Sequence, residues 1–353
     1  MRPGFVWLAG IRDLQWRRRR FVIAVLGTAL VMSLTLLLTG FQATFDVEVK
    51  HTLNIIKADG FIVQEGRPGP FLGGTPIPFE QAQRAGQLAG VTEVAPIIMV
   101  PQVTDQKQHA DVFLIGATPG GLGAPVATKG NAPTASGEAL IDTRSGLKVG
   151  DSFAMGGREF KVVGTASGLT YSGGRPTVFL TLQDAQQLMF AGQPFVTAIA
   201  VRGAPTSVPP GAVYMNSKKA GADLKRPLAD TIESITLFRT LLWIVAVAIV
   251  GSVVYLSALE RVGDFAVFKA TGTSTSDLLG ALIVQAIALS VSASILAIGV
   301  AYLLRPMFPV APLLALRIEI TLPVIGLIIG VLASGAALRR AVNVDPALAF
   351  GGR

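Results

Sequence analysis

Residues 21–41 read FVIAVLGTALVMSLTLLLTGF, an apolar run with no Lys, Arg, Asp or Glu. A helix needs about 20 residues to cross the hydrocarbon core of a bilayer, and in lipid it satisfies its own backbone groups. Residues 240–258, 278–304 and 320–338 have the same character. Pro323 alone interrupts the four runs, in the first turn of the last one, where its missing N–H costs little. The sequence predicts a membrane α-helical protein with four transmembrane helices.

The rest of the composition agrees. Hydrophobic residues make up 51% of the 353, charged residues only 15%, and mean hydropathy is +0.56. This exceeds what one globular core requires and points to lipid.

Basic residues orient the spans. Arg2, Arg12 and Arg17 to Arg20 precede the first run, Arg261 and Lys269 lie between the second and third, and Arg339, Arg340 and Arg353 follow the fourth. The positive-inside rule puts these segments in the cytoplasm, both termini included. Residues 42–234 and 305–319 then face outward, and Arg305 and Arg317 weaken the bias without reversing it. The first run is too long for a signal-peptide core and no A-x-A-like site follows, so it reads as an uncleaved anchor. Upstream, Phe5, Trp7, Leu8, Ile11, Leu14 and Trp16 mixed with arginines suit a helix lying in the headgroup layer.

The net charge of +8 is concentrated where anionic headgroups explain it, and no aromatic-interleaved RNA-binding pattern appears, so no nucleic-acid partner is expected. Cysteine is absent, which removes disulfides and thiol chemistry. His51 and His109 are the only histidines, and HExxH and G-x-S-x-G motifs are lacking, so catalysis and a bound metal are not expected. The lack of G-x-x-x-x-G-K-[ST] means that energy from nucleotide must come through another polypeptide.

In the outer segment, residues 58–64, 91–100, 111–116, 139–142, 160–163, 177–181 and 196–201 read as strands, and 78–88 and 182–190 as helices, giving an α+β domain. Residues 66–78 carry four glycines and four prolines, an ordered loop or a mobile arm. Residues 224–238 space Leu228, Ile232 and Ile235 as a helix would, which suggests a stalk on the second span. Gly326, Gly330 and Ser334, and Ala286, Ser290 and Ser294, form small-residue ridges suited to close packing within one protomer. Gln285 is expected to bond a neighbouring helix, and Arg239 to snorkel at the outer edge.

Between the second and third runs lies LERVGDFAVFKATG, residues 259–272. Val262, Phe265 and Phe268 share a helical face that can enter an apolar groove, and Glu260, Arg261, Asp264 and Lys269 can fix register at its rim. Gly272 offers a helix stop and Ser274 or Thr275 an N-cap for the next span.

This segment resembles the FtsX/MacB permease signature, with Glu260, Arg261, Asp264, Phe265, Phe268, Lys269, Ala270, Gly272 and residues 274–277 in the matching places. The Arg-rich entry to the first span, Gly146 to Asp151 followed by Phe160 to Gly164, and Val344 to Phe350 extend the likeness over essentially the whole chain. It is similar in particular to actinobacterial permeases sometimes labelled glutamine transporters.

The resemblance implies a type VII ABC transporter membrane subunit with an extracytoplasmic MacB-like domain inserted between the first two transmembrane helices. It implies residues 1–20 as an interfacial helix, 21–41, 235–258 (with the outer stalk), 278–304 and 320–338 as spans, and 42–234 as the MacB-like domain. It also makes 259–277 a cytoplasmic coupling helix, 305–319 an external loop and 339–353 a cytoplasmic tail. Glu260, Arg261, Asp264, Phe265, Phe268, Lys269 and Gly272 would dock on the ATPase. The implied partners are two ATPase subunits that bind ATP and Mg, a second permease, most simply an identical one, and an adaptor or cell-wall enzyme on the outer side. The location would be the bacterial inner membrane. The expected function is mechanotransmission: export of a hydrophobic or amphipathic compound, a peptide or a lipid, or else FtsX-like activation of a cell-wall hydrolase.

Overall fold

The computed structural model describes residues 18–106, 111–171, 174–260, 267, 274–308 and 310–342. The chain divides into a membrane unit, residues 1–44 and 232–353, and an outer unit, residues 45–231.

In the outer unit, strands β1 (Gly60–Gln64), β2 (Ile77–Pro78), β3 (Val91–Val103), β4 (Asp111–Ala117), β5 (Lys129–Gly130), β6 (Glu138–Asp142), β7 (Ser152–Met155), β8 (Arg158–Ala166), β9 (Thr170–Tyr171), β10 (Arg175–Thr181), β11 (Phe195–Val196), β12 (Ala198–Gly203) and β13 (Ala212–Asn216) are formed. The principal sheet runs β13-β1-β12-β3-β4-β10-β6-β8-β5, with β7 on β8 and β9 on β10, while β11 and β2 make a separate pair. The long β3 is the hinge of this order. Its first half pairs antiparallel with β12 and its second half with β4. β4 and β10 are parallel, as are β6 and β8, so the sheet is mixed.

Both faces of the sheet are covered, which is why strands such as Val112 to Ile115 are apolar at every position rather than at alternate ones. One face buries Phe61, Phe71, Phe113, Tyr171 and Phe179 with Val49 and Ile56. The other buries Ile62, Ile98, Leu114, Phe160 and Val178 under the helices Phe79–Ala85 and Leu182–Phe190. The second helix is capped by Thr181, whose Oγ1 accepts from the Asp184 N–H, while Asp184 Oδ2 accepts from the Thr181 hydroxyl.

The helices are, in chain order, α1 (Arg18–Ile56), α2 (Phe79–Ala85), α3 (Leu182–Phe190), α4 (Ser217–Lys225), α5 (Ala229–Glu260), α6 (Thr275–Leu304) and α7 (Leu316–Val342). The helical extension expected over 224–238 is present from Ala229, where α5 begins, and is joined to α4 through a tighter turn. Pro227 lacks an N–H, and Arg226–Leu228 forms a 3-10 turn between α4 and α5.

The expectation of four transmembrane helices is corrected. Among the described residues, three helices are long and apolar enough to cross a membrane, Arg19–Ile56, Ser217–Glu260 and Leu282–Met307. The apolar run 320–338 falls in α7, which opens with Arg317 and Glu319 and contains Pro323, and α7 is not among the three.

The membrane unit is packed through small residues. Ala286, Ala293, Ala297 and Ala301 of α6 are fully buried, with Met32, Leu36 and Leu37 of α1 and Val250 and Val254 of α5 in the same core. A Cβ on Gly326 would lie 3.1 Å from the Ser290 carbonyl oxygen, and one on Gly330 would lie 3.0 Å from that of Ala286. The two small-residue ridges therefore meet each other, α7 against α6, so this packing is internal to the chain.

Candidate functional site

The seven coupling residues expected from the sequence fall at the junction of α5 and α6. Glu260 is described, as the last residue of α5, whereas Arg261, Asp264, Phe265, Phe268, Lys269 and Gly272 lie outside the described residues. So does most of the N-terminal segment expected to lie in the headgroup layer.

Around Glu260 the geometry is specific. Its Oε1 accepts from Arg20 Nη1 at 2.9 Å, so the first turn of α1 is held against the last turn of α5. The pair is half-buried, with side-chain exposures of 28% for Arg20 and 39% for Glu260. One turn back on α5, the buried Ser257 Oγ accepts from Gln285 Nε2 of α6 at 3.1 Å. Gln285 thus bonds a neighbouring helix, as its position in an apolar run suggested. A polar side chain inside a bundle costs free energy unless it finds such a partner. α1 is thus tied to α5 at Glu260, and α5 to α6 one turn earlier on α5.

Further along the same helices, Arg239 Nη1 donates to Gln42 Oε1 at 2.9 Å. This replaces the expected snorkelling by a direct bond between α5 and α1. The α6–α7 connection is fastened nearby, where the Leu313 N–H donates to Thr44 Oγ1 at 2.9 Å. Sequence reasoning missed Gln42. Its signal is a lone amide just past an apolar run, at the same end of its helix as Arg239 on the other.

In the outer unit the glycine- and proline-rich loop 66–78 is an ordered loop. The buried carboxylate of Asp223, on α4, accepts from the Gly69 and Phe71 N–H groups at 3.1 Å each. A Cβ on Gly69 would stand 2.3 Å from Asp223 Cγ, so glycine is required there. The Phe71 ring is wholly buried, edge-on to Phe61, and its carbonyl accepts from the Tyr171 hydroxyl. Burial, reinforced by the Asp223 charge, pushes the Tyr171 phenol well above its ordinary range, which keeps that donor protonated.

Known proteins place this arrangement. Residues 22–213 match the MacB-like periplasmic core domain and residues 236–346 the FtsX-like permease C-terminal region. The chain is 41% identical, over 98% of its length and 99% of theirs, to the ABC transporter permeases Rv2563 and Rv0072 of Mycobacterium tuberculosis H37Rv. Among solved structures it resembles the periplasmic region of MacB from Actinobacillus actinomycetemcomitans at 12% identity, covering 50% of this chain and 98% of that one with a TM-score of 0.33. Membership of the family implies association with an ATPase subunit. With a core-domain match over more than half its length and whole-chain relatives of the same kind, the chain belongs to the MacB/FtsX-type permeases, the non-catalytic ABC transporter subunits that act by mechanotransmission with a partner ATPase.

Proposed function

We propose that this permease exports a hydrophobic or amphipathic compound, a peptide or a lipid from the outer side of the bacterial inner membrane. In this reading a separate ATPase, present in two copies, drives it through residues 259–277. The observation that carries the reading is the position of Glu260. It is the first acidic residue of the coupling motif, it ends α5, and it is bonded to Arg20 at the head of α1. A push delivered to the segment that follows reaches two helices at once. Both helices continue beyond their apolar runs, α1 to Ile56 and α5 from Ala229, and so extend into the outer unit's part of the chain.

Phe265 and Phe268 supply the apolar anchors, Arg261, Asp264 and Lys269 the polar rim, and Gly272 ends the segment. The N-terminus and residues 259–277 lie in the cytoplasm, as the arginines around them require. The permease works as a pair of identical chains, with an adaptor or cell-wall enzyme on the outer side.

The test is affinity purification of the tagged permease from membranes, with ATPase assay and mass spectrometry, for wild type and for Phe265→Asp and Phe268→Asp. An ABC ATPase should accompany the wild type and be lost from both variants while they remain inserted. Wild-type permease without any ATPase would refute the reading.

A further inference from the structure

The two helices that link the membrane unit's part of the chain to the outer unit's part are built differently. α1 is unbroken from Arg18 to Ile56, past the boundary at residue 44. Beyond that boundary Phe45, Val49, Thr52 and Ile56 recur at i, i+4, i+7 and i+11, and all four are buried. Val49 and Ile56 belong to the same apolar core as Phe113, Ile115 and Phe179 of the sheet. α4 packs on this segment at Gly221, where a Cβ would stand 3.3 Å from Val49 Cγ1.

Polar bonds fix the same segment. Glu48 Oε1 accepts from the Gly174 N–H at 3.0 Å. The Thr52 hydroxyl donates to the Glu48 carbonyl one turn back at 3.0 Å and also lies 3.3 Å from the Thr170 carbonyl oxygen. Lys225 of α4 pairs with Asp46, and at the end of α1 the Gly123 N–H donates to the Ile56 carbonyl at 2.9 Å. Thr170 lies in β9, which pairs antiparallel with β10, and Gly174 directly precedes β10. β10 is an interior strand of the principal sheet, between β4 and β6. The Leu169 N–H, just before β9, donates to the buried Asp142 Oδ2 at 2.6 Å. Glu48 and Thr52 therefore hold α1 onto an extension of a central strand.

The second link has none of this burial. Between α4 and α5 the chain passes through the 3-10 turn that contains Pro227, and no side chain from residue 226 to 236 is buried. The missing N–H of proline interrupts the helical ladder there, and a short interruption of this kind absorbs a change of direction.

We propose that α1 delivers the stroke to the outer unit, with Glu48 and Thr52 as its positioning residues, and that the turn at 226–228 is the pivot about which α5 changes direction against α4. A push that reaches both helices is then passed on by one and accommodated by the other. The inference rests on the reading that a separate ATPase drives the permease, and adds which helix passes that drive on.

The chain has no cysteine, so introduced pairs carry spin labels without background. Two pairs at exposed positions are compared, Val47→Cys with Val126→Cys and Glu233→Cys with Val126→Cys. Distances are read by pulsed electron paramagnetic resonance on the full-length permease with its co-purified ATPase in nanodiscs, diluted with unlabelled permease so that only distances within one chain are read. On addition of ATP and vanadate the 47–126 distance should stay at its maximum, whereas the 233–126 distance should shift. Combining Glu48→Ala with Thr52→Val should make the 47–126 distance respond to nucleotide. Glu48→Gln, which keeps an acceptor for the Gly174 N–H, should leave it unresponsive, a distinction that a loss of stability alone would not tie to nucleotide. The comparison of the two pairs without these variants does not depend on their folding. A 47–126 shift as large as the 233–126 shift, or hydrolysis with no shift in either pair, would overturn the inference alone. A sample without vanadate-sensitive ATPase activity would overturn the ATPase reading and this inference with it.

Discussion

The Arg20 guanidinium donates to the Glu260 carboxylate across 2.9 Å, joining the start of α1 to the end of α5 from positions 240 residues apart. Such a half-exposed pair contributes only about 0–1 kcal/mol to stability. Glu260→Ala should therefore barely change thermal unfolding yet lower the ATPase activity that co-purifies with the permease. The double exchange Arg20→Glu with Glu260→Arg should restore part of that activity. Failure of the exchange to restore any would show that Glu260 acts through another contact.

The α6–α7 contact is tight enough that a methyl group on either glycine would push against backbone. Gly326→Ala or Gly330→Ala should destabilise the detergent-solubilised protein by about 1–3 kcal/mol, because each new Cβ meets backbone rather than a flexible side chain. Gly299→Ala, whose Cβ would meet nothing within 4 Å, is the control and should be neutral or stabilising by up to about 1 kcal/mol. Melting curves of the three variants check this.

Asp223 and Gly69 should behave as one unit. Asp223→Ala leaves two N–H groups without their carboxylate, a cost of about 1–3 kcal/mol for each that stays buried. Gly69→Ala drives a methyl into the same carboxylate. The double variant should be clearly less destabilised than the sum of the two singles, since removing the carboxylate also removes the clash. Additive effects in denaturant titrations would contradict this coupling.

A pH dependence follows from Glu138, which accepts from the Ala135 and Thr134 N–H groups. Those bonds hold its carboxyl below the ordinary value of about 4.5. Depression in the folded state means a stabilising contribution that is complete above about pH 4.5 and is lost as pH falls through the lower folded value. Glu138→Gln should flatten the acid side of the stability profile, measured by circular dichroism, and leave the neutral side lower than in wild type.

Local patterns were readable wherever packing agreed with them. Leu182, Ala185, Leu188 and Met189 mark the buried side of a helix, and Thr181 caps it, so α3 is found where its residues predict. Residues 196–201 read as one strand because they are uniformly apolar or β-branched. The break at Thr197 depends on a hydroxyl bonded to β3, a partner almost a hundred residues away. The strand β13 was missed because Val213 is its only β-branched residue and lysines follow closely.

At the candidate site the chemistry was legible but the pairing was not. Charge alone put Arg20 and Glu260 on the same side of the membrane, and Gln285 asked for a partner, but neither pattern names Ser257 or the Arg20–Glu260 bond. Counting spans from hydropathy gave a fourth crossing at residues 320–338, whereas α7, which contains Pro323, is not among the three described helices long and apolar enough to cross.

The most direct test of the central claim is photo-crosslinking in intact membranes from residues 265 and 268, each replaced in turn by a benzophenone amino acid, with Val22, exposed on the first apolar run, as the control position. The account predicts an ABC ATPase crosslinked from 265 and 268 and not from 22. Crosslinks to lipid alone, or to no polypeptide, from both coupling positions would contradict it.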